Sequence, residues 1–123
     1  MLKDRVLVDT SSIIFAMHNR KDIFSITKAV FPDRTVCVSE GVVSELKRIS
    51  TIRSKKGREA AAGLRSVFHN NIPVEDDEQR PDDWMVEINS ARCIFLTNDT
   101  KLWHRLKAAG KQAMKISVDG RIV

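Results

Sequence analysis

At 123 residues, with 42% hydrophobic and 30% charged side chains, the chain has the length of one domain and the composition of a water-soluble globular protein. A domain of this size buries roughly two-thirds of its unfolded surface, which makes a core possible without disulfide or metal staples. No apolar run approaches the ~20 residues of a membrane span, so no membrane contact is expected, and the net charge of +5 favours a polyanionic partner.

In chain order, Val6-Leu7-Val8 is a short apolar run with two β-branched members, as expected of a strand buried on both faces of a parallel sheet. It stops at Asp9, and Ser12 to Asn19 reads as a helix. Asp22 is placed to cap a second helix that runs to Phe31 and ends at Pro32-Asp33. Thr35 to Val38 is a second strand, and Ser39 is placed to cap a helix from Glu40 to about Ile49. Gly57 is expected in a basic connection before a helix over Glu59 to Phe68. Asn70-Asn71 marks a turn before a strand at Ile72 to Val74. Glu75-Asp76-Asp77-Glu78 reads as a solvated connection, and Pro81 suits the first turn of a helix reaching about Ala91. Cys93 to Thr97 is a fourth strand, and Thr100 to Ala109 a helix stopped by Gly110. Ala113 to Val118 is a fifth strand, and Asp119-Gly120 a turn folding Arg121-Ile122-Val123 back on an edge. Strands alternating with helices predict a three-layer α/β/α sandwich with a mostly parallel five-stranded sheet, in a single domain over residues 1–123. Cys37 and Cys93 lie in strand-like runs without metal-ligand spacing and are expected as buried, reduced thiols. The amino terminus lacks the apolar region and cleavage site of a secretory signal, so a cytoplasmic location is expected.

Two strands end in aspartates, Asp9 and Asp99, at the edge where open α/β sheets bind ligands. The alternative for Asp9 is an ordinary helix cap. Two carboxylates brought together in a dry cleft repel, and a divalent cation relieves that repulsion. Glu45 borders the apolar stripe of Val42, Leu46 and Ile49, whereas Glu40 falls on the opposite side, where a carboxylate near a helix amino terminus is ordinary. Of Asp82 and Asp83, one is expected to cap the helix after Pro81.

Lys47, Arg48, Arg53, Lys55, Lys56 and Arg58 form the densest basic segment, suited to steering an RNA backbone or to an ordinary solvated surface. A second set, Lys101, Arg105, Lys107 and Lys111, surrounds Trp103, which is expected to pack at a core border or dimer interface rather than stack a base. His18, His69 and His104 share no motif and receive no catalytic role.

The segments Val6-Leu7-Val8-Asp9-Thr10-Ser11, Val42-Val43-Ser44-Glu45-Leu46, Asp82-Asp83-Trp84-Met85-Val86 and Leu96-Thr97-Asn98-Asp99 resemble, in order and spacing, the PIN domain, a family of small metal-dependent ribonucleases. The resemblance covers nearly the whole chain. It implies an acidic cluster of Asp9, Glu45, Asp83 and Asp99 with Asp82 assisting, buttressed by Thr10, Ser11, Thr97 and Asn98. It further implies Mg²⁺ or Mn²⁺ as cofactor and endonucleolytic cleavage of single-stranded or structured RNA, leaving a 5′-phosphate and a 3′-hydroxyl. Departures from the family pattern are Ser11, where many members have Asn, and Trp84 and Glu87, where many have small residues. The compact length resembles the archaeal, ribosome-associated or toxin branches, which leaves open an RNA-processing role, the toxin of a toxin–antitoxin pair, a homodimer, a protein inhibitor or a ribosome-assembly partner. The rival class is a noncatalytic RNA-binding or assembly module of the same fold. A phosphatase or nucleotide-binding reading is disfavoured: Ser11 stands where a second Asp would be wanted, and no Gly-rich loop follows the first strand.

Overall fold

In the computed structural model, which describes residues 4–88 and 92–123, the apolar runs lie side by side as one sheet. Strands β1 (Arg5–Val8), β2 (Thr35–Ser39), β3 (Val74–Glu75), β4 (Cys93–Leu96) and β5 (Gln112–Met114) are all parallel, in the order β3-β2-β1-β4-β5. The centre of the sheet is β1, with Leu7 opposite Cys37 on one side and Phe95 on the other. Val6, Leu7, Val8, Val38 and Phe95 are wholly buried, which explains why these strands read as unbroken apolar runs rather than alternating ones.

Six helices make the connections: α1 (Thr10–His18), α2 (Ile23–Val30), α3 (Glu40–Ser50), α4 (Lys55–His69), α5 (Pro81–Glu87) and α6 (Thr100–Ala108). Helices α1, α3 and α4 pack on one another, and α5 packs on α6. From β1 the chain moves outward to β2 and β3, then crosses back to β4 and β5. Right-handed crossovers in opposite directions place helices on opposite faces, giving the three-layer α/β architecture. The order reverses between β1 and β4, where the loops leaving the two strands diverge and open a crevice. No helix among the described residues is long and apolar enough to cross a membrane.

Caps behave as the side chains dictate at α2, where Asp22 accepts from the Ser25 amide, and at α3, where Ser39 accepts from the Val42 amide. Elsewhere tertiary contacts move the boundaries. Helix α4 begins at Lys55, capped by the Ser54 hydroxyl, and contains Gly57 rather than following it. A Cβ on Gly57 would lie 1.9 Å from the Ile52 carbonyl oxygen, so the glycine permits a close approach inside a helix instead of marking a loop. The third strand is Val74–Glu75, not Ile72 to Val74: Pro73 has no N–H to give, and its carbonyl accepts from the Val38 amide at 3.0 Å.

The fifth strand stops at Met114 rather than Val118, because Asn98 takes both backbone groups of Ile116, donating at 2.8 Å and accepting at 3.1 Å. Residues beyond it fold back as expected, with Ile116 bridged antiparallel to Ile122 and Gly120 at φ +83° in the turn. Helix α5 ends at Glu87; of its expected extension to Ala91, residues 89–91 lie outside those described. Neither Asp82 nor Asp83 caps α5, whose N-cap is Arg80 with no capping side-chain bond. Cys37 and Cys93 are buried free thiols.

The expected solvated run at Glu75 to Glu78 is corrected most sharply at Asp77, which is wholly buried. Its two oxygens accept from the Gly41 amide at 3.1 and 3.2 Å, satisfying a donor at the start of α3 that would otherwise be orphaned. A Cβ on Gly41 would meet Asp77 Oδ2 at 2.6 Å and Pro81 Cδ at 2.7 Å. This tight latch holds the start of α5 against α3 and thereby positions Asp82. Glu75 is also engaged, through Arg5 Nε at 2.9 Å.

Candidate active site

Asp9 and Asp99 follow adjacent parallel strands, and the crevice between their loops opens into a cavity of about 510 Å³. Asp9, Glu45, Asp82 and Asp99 line it, together with Thr10, Ser11 and Lys56.

Asp9 occupies the N-cap position of α1, yet its side chain makes no capping bond. The carboxylate is 5% exposed, and the Ser11 and Thr97 hydroxyls both donate to its Oδ2, at 2.6 and 2.9 Å. Burial pushes its pKa up; these two hydroxyls and the backbone N–H groups of Ser11 and Thr10 oppose that rise. An anion desolvated in this way is costly to the fold alone.

Ser11 is the hub of the edge. While donating to Asp9 it accepts from the amides of Asn98 and Asp99, at 3.0 and 3.1 Å. One donor and two acceptor positions are thus all used, so this small hydroxyl joins the two strand ends. Asn98 does not touch a carboxylate; it accepts from the Ser12 hydroxyl at 2.7 Å and anchors Ile116. Thr10 donates to Glu45 Oε2 at 3.2 Å, aiming a side chain of α3 across to α1. Asp99 is exposed and caps α6, accepting from the Leu102 amide at 3.1 Å.

The two aspartates of α5 separate. Asp82 lines the cavity from an exposed position, and its pKa is raised to about 6, first by partial desolvation there and then by the charges of Asp9, Asp99 and Glu45. Asp83, expected as the principal carboxylate of the pair, is outside that lining and half-exposed, bound to Arg105 at 2.9 Å. One residue along an α-helix turns a side chain by about 100°, and here that turn separates Asp82 at the cavity from Asp83 at Arg105. Trp84 packs against the core, as does Met85, and together they fix that rotation.

Of the basic segment, Lys47, Arg48, Arg53, Lys55, Lys56 and Arg58 are all exposed. Lys56 lines the cavity, and Lys55 and Arg58 line a neighbouring one. Trp103 packs at the border of the core, with the Lys107 and Lys115 ammonium groups 5.2 and 4.9 Å from its ring centre.

Two lining residues had no sequence signal. His18 and Glu59 are paired at 2.9 Å between α1 and α4, and both border the cavity. They are 41 positions apart; only the isolation of Glu59 among basic neighbours hinted at a fixed partner.

The cavity concentrates oxygen donors and negative charge, the chemistry that selects a hard divalent cation. Among the described residues no group of three or more His, Cys, Asp or Glu side chains converges closely enough to form a ready-made metal cage.

Sheet order, crossover pattern and a carboxylate-lined crevice at the point of reversal define the class: the chain has a PIN-domain fold. The PIN domain endonuclease Utp24 is similar to it with a TM-score of 0.77 and 20% sequence identity, over 96% of this chain and 90% of that one. A domain of a functionally unknown protein from Methanocaldococcus jannaschii DSM 2661 is similar with a TM-score of 0.63 and 22% identity, over 94% of this chain and 92% of that one. No family sequence profile matches the chain, and no curated protein matches it.

Proposed function

We propose that this domain is a Mg²⁺- or Mn²⁺-dependent endoribonuclease whose working carboxylates are Asp9, Glu45, Asp82 and Asp99. The observation that carries the reading is Asp9: a buried carboxylate, released from capping, aimed by two hydroxyls into a cavity that other carboxylates share. A structural neighbour that is an endonuclease supports the same chemistry.

The donor set fits a hard cation. It consists of carboxylate oxygens, and the mutual repulsion that lifts Asp82 is what a divalent charge neutralises. Because the carboxylates do not form a closed cage, the fit is to an ion held by a few of them, with water and substrate phosphate completing its shell. When bound, the cation lowers the pKa of a water and stabilises charge developing on phosphate. Asp9 and Asp99, held by Ser11, keep the two strand ends in register for that task. Glu45 and Asp82 close the cleft from α3 and α5. Thr10, Ser11 and Thr97 preserve the aim of the carboxylates, and Asn98 locks the loop that bears Asp99. The basic segment from Lys47 to Arg58 attracts the RNA backbone, and the cytoplasm is where this chain would meet it.

Cleavage of single-stranded RNA by wild type, with Mg²⁺ or Mn²⁺ and with chelator, tests the proposal. Asp9→Asn should abolish metal-dependent cleavage while Glu40→Gln, which removes a carboxylate from an exposed position, leaves it intact. Equal cleavage by wild type and Asp9→Asn would sink the assignment. Binding without cleavage by both would favour the noncatalytic module.

A further inference from the structure

Next to the acidic cavity lies a second one, of about 360 Å³, that shares His18 and Glu59 with it and is lined by Arg20, Lys55 and Arg58. Two local rules are broken around this pocket. Helix α1 ends in a Schellman motif, with the Lys21 amide bonded to the Ala16 carbonyl and the Arg20 amide to the Met17 carbonyl. That motif puts Arg20 in the left-handed region at φ +57°, a position that favours glycine. Helix α4 has no acidic residue in its first turn; Lys55 and Lys56 occupy it, against the positive end of the helix dipole. Glu59, the nearest carboxylate, is engaged by His18. Neither oddity helps α1 or α4 as isolated helices, and both direct cationic side chains to the same recess. Local rules broken together without a structural return mark a functional surface.

From these features we infer that the Arg20–Lys55–Arg58 pocket is a phosphate subsite, which seats a non-scissile phosphate of a single-stranded RNA lying across the acidic cavity. The inference rests on the reading of that cavity as the cleavage site. The charge order along the path explains the arrangement: carboxylates where the reacting phosphate meets a cation, then Lys56 and the His18–Glu59 pair, then three cations for the next phosphate. The His18–Glu59 pair forms the shared wall, tying α1 to α4 and fixing the separation of the two compartments. Single-stranded RNA is the substrate this suits, since its flexible backbone can bend from one recess into the next.

The test is binding of a fluorescent single-stranded RNA oligonucleotide in chelating buffer, where no cleavage intervenes, as a function of salt. Removing the three cations that share this one phosphate, with Arg20→Gly, Lys55→Gln and Arg58→Gln, should weaken binding and reduce the slope of log affinity against log salt by about 0.7. Arg20→Gly alone suits the left-handed backbone and keeps the fold, and it should weaken binding with a slope change smaller than about 0.7, a readout that survives unfolding of the triple variant. The comparison variant is Lys28→Gln, an exposed cation outside both the pocket and the basic segment. A larger loss per charge in the pocket supports the subsite; an equal loss per charge means diffuse surface attraction and overturns it. Metal-dependent cleavage with unchanged binding in the pocket variants would reject the subsite and leave the nuclease standing. Loss of binding in a protein that cleaves no RNA would do the reverse.

Discussion

Asp9 and Asp99 hold equivalent places after neighbouring strands, each at the N-cap of the following helix, yet the structure treats them differently. Asp99 is exposed and does the ordinary work of the position, accepting from the Leu102 amide. Asp9 is buried, leaves α1 without a side-chain cap, and is held sideways by Ser11 and Thr97. Position in the fold therefore brings a carboxylate to the edge, but hydrogen-bonding partners decide whether it serves a helix or points into the cleft. Asp99 caps its helix through one oxygen, whereas Asp9 is held through Oδ2 by the Ser11 and Thr97 hydroxyls.

The largest expected effect tests that difference directly. Asp9→Asn and Asp99→Asn should each lower metal-dependent RNA cleavage by more than about a hundredfold, or ~2.7 kcal/mol in transition-state stabilisation. Their stabilities should diverge: in chelating buffer Asp9→Asn melts at or above the wild-type temperature, because a buried charge is removed. Asp99→Asn should be neutral since asparagine caps as well, whereas Asp99→Ala should lose about 1 kcal/mol with the cap. Equal stability losses for Asp9→Ala and Asp99→Ala in chelator would break the comparison.

Ser11→Ala comes next, with an expected loss of about 1–2 kcal/mol by denaturant titration, because the change leaves the Asn98 amide without its partner and removes one of the two hydroxyls that donate to Asp9, while Thr97 still serves Asp9 and the Asp99 amide. A loss confined to activity would mean that the hydroxyl aims Asp9 without joining the strand ends.

A smaller, pH-dependent effect separates the cleft from the surface. The folded-state pKa of Asp82 is raised from 3.8 to about 6, so between those values the native state binds more protons than the unfolded chain. Metal-free stability should accordingly fall as pH rises from about 4 to about 6, and Asp9, also raised, adds to the same sign. Asp82→Asn should flatten that decline in thermal melts, and saturating Mg²⁺ or Mn²⁺ should offset it. A wild-type profile that climbs with pH through this window would show that other groups dominate the linkage.

The smallest effect is expected at Asp83. Its pair with Arg105 is half-exposed, so Asp83→Asn should change stability by less than about 1 kcal/mol and leave cleavage close to wild type. A loss equal to that of Asp82→Asn would show that α5 rotates when substrate binds.

Much of this architecture was legible from residue order. Apolar runs identified β1, β2 and β4, because strands buried on both faces cannot alternate, and Asp22 and Ser39 announced the helices they cap. Asp9, Glu45 and Asp99 were readable as residues bordering the carboxyl edge of the sheet, where the adjacency of β1 and β4 brings them to one cavity.

What the sequence alone determined were periodicities and local caps, which depend on neighbours within a few positions. Tertiary structure decided the rest. Which of Asp82 and Asp83 lines the cavity depends on how Trp84 and Met85 seat α5 against the core, and the burial of Asp77 depends on a glycine far away in α3. Gly57 became a helix residue through contact with the Ile52 carbonyl, and His18 met Glu59 only once α1 lay on α4. Each of these outcomes rests on the direction of a side chain or the closeness of two backbones. Those quantities are set by packing between elements remote in sequence, and no local pattern encodes them.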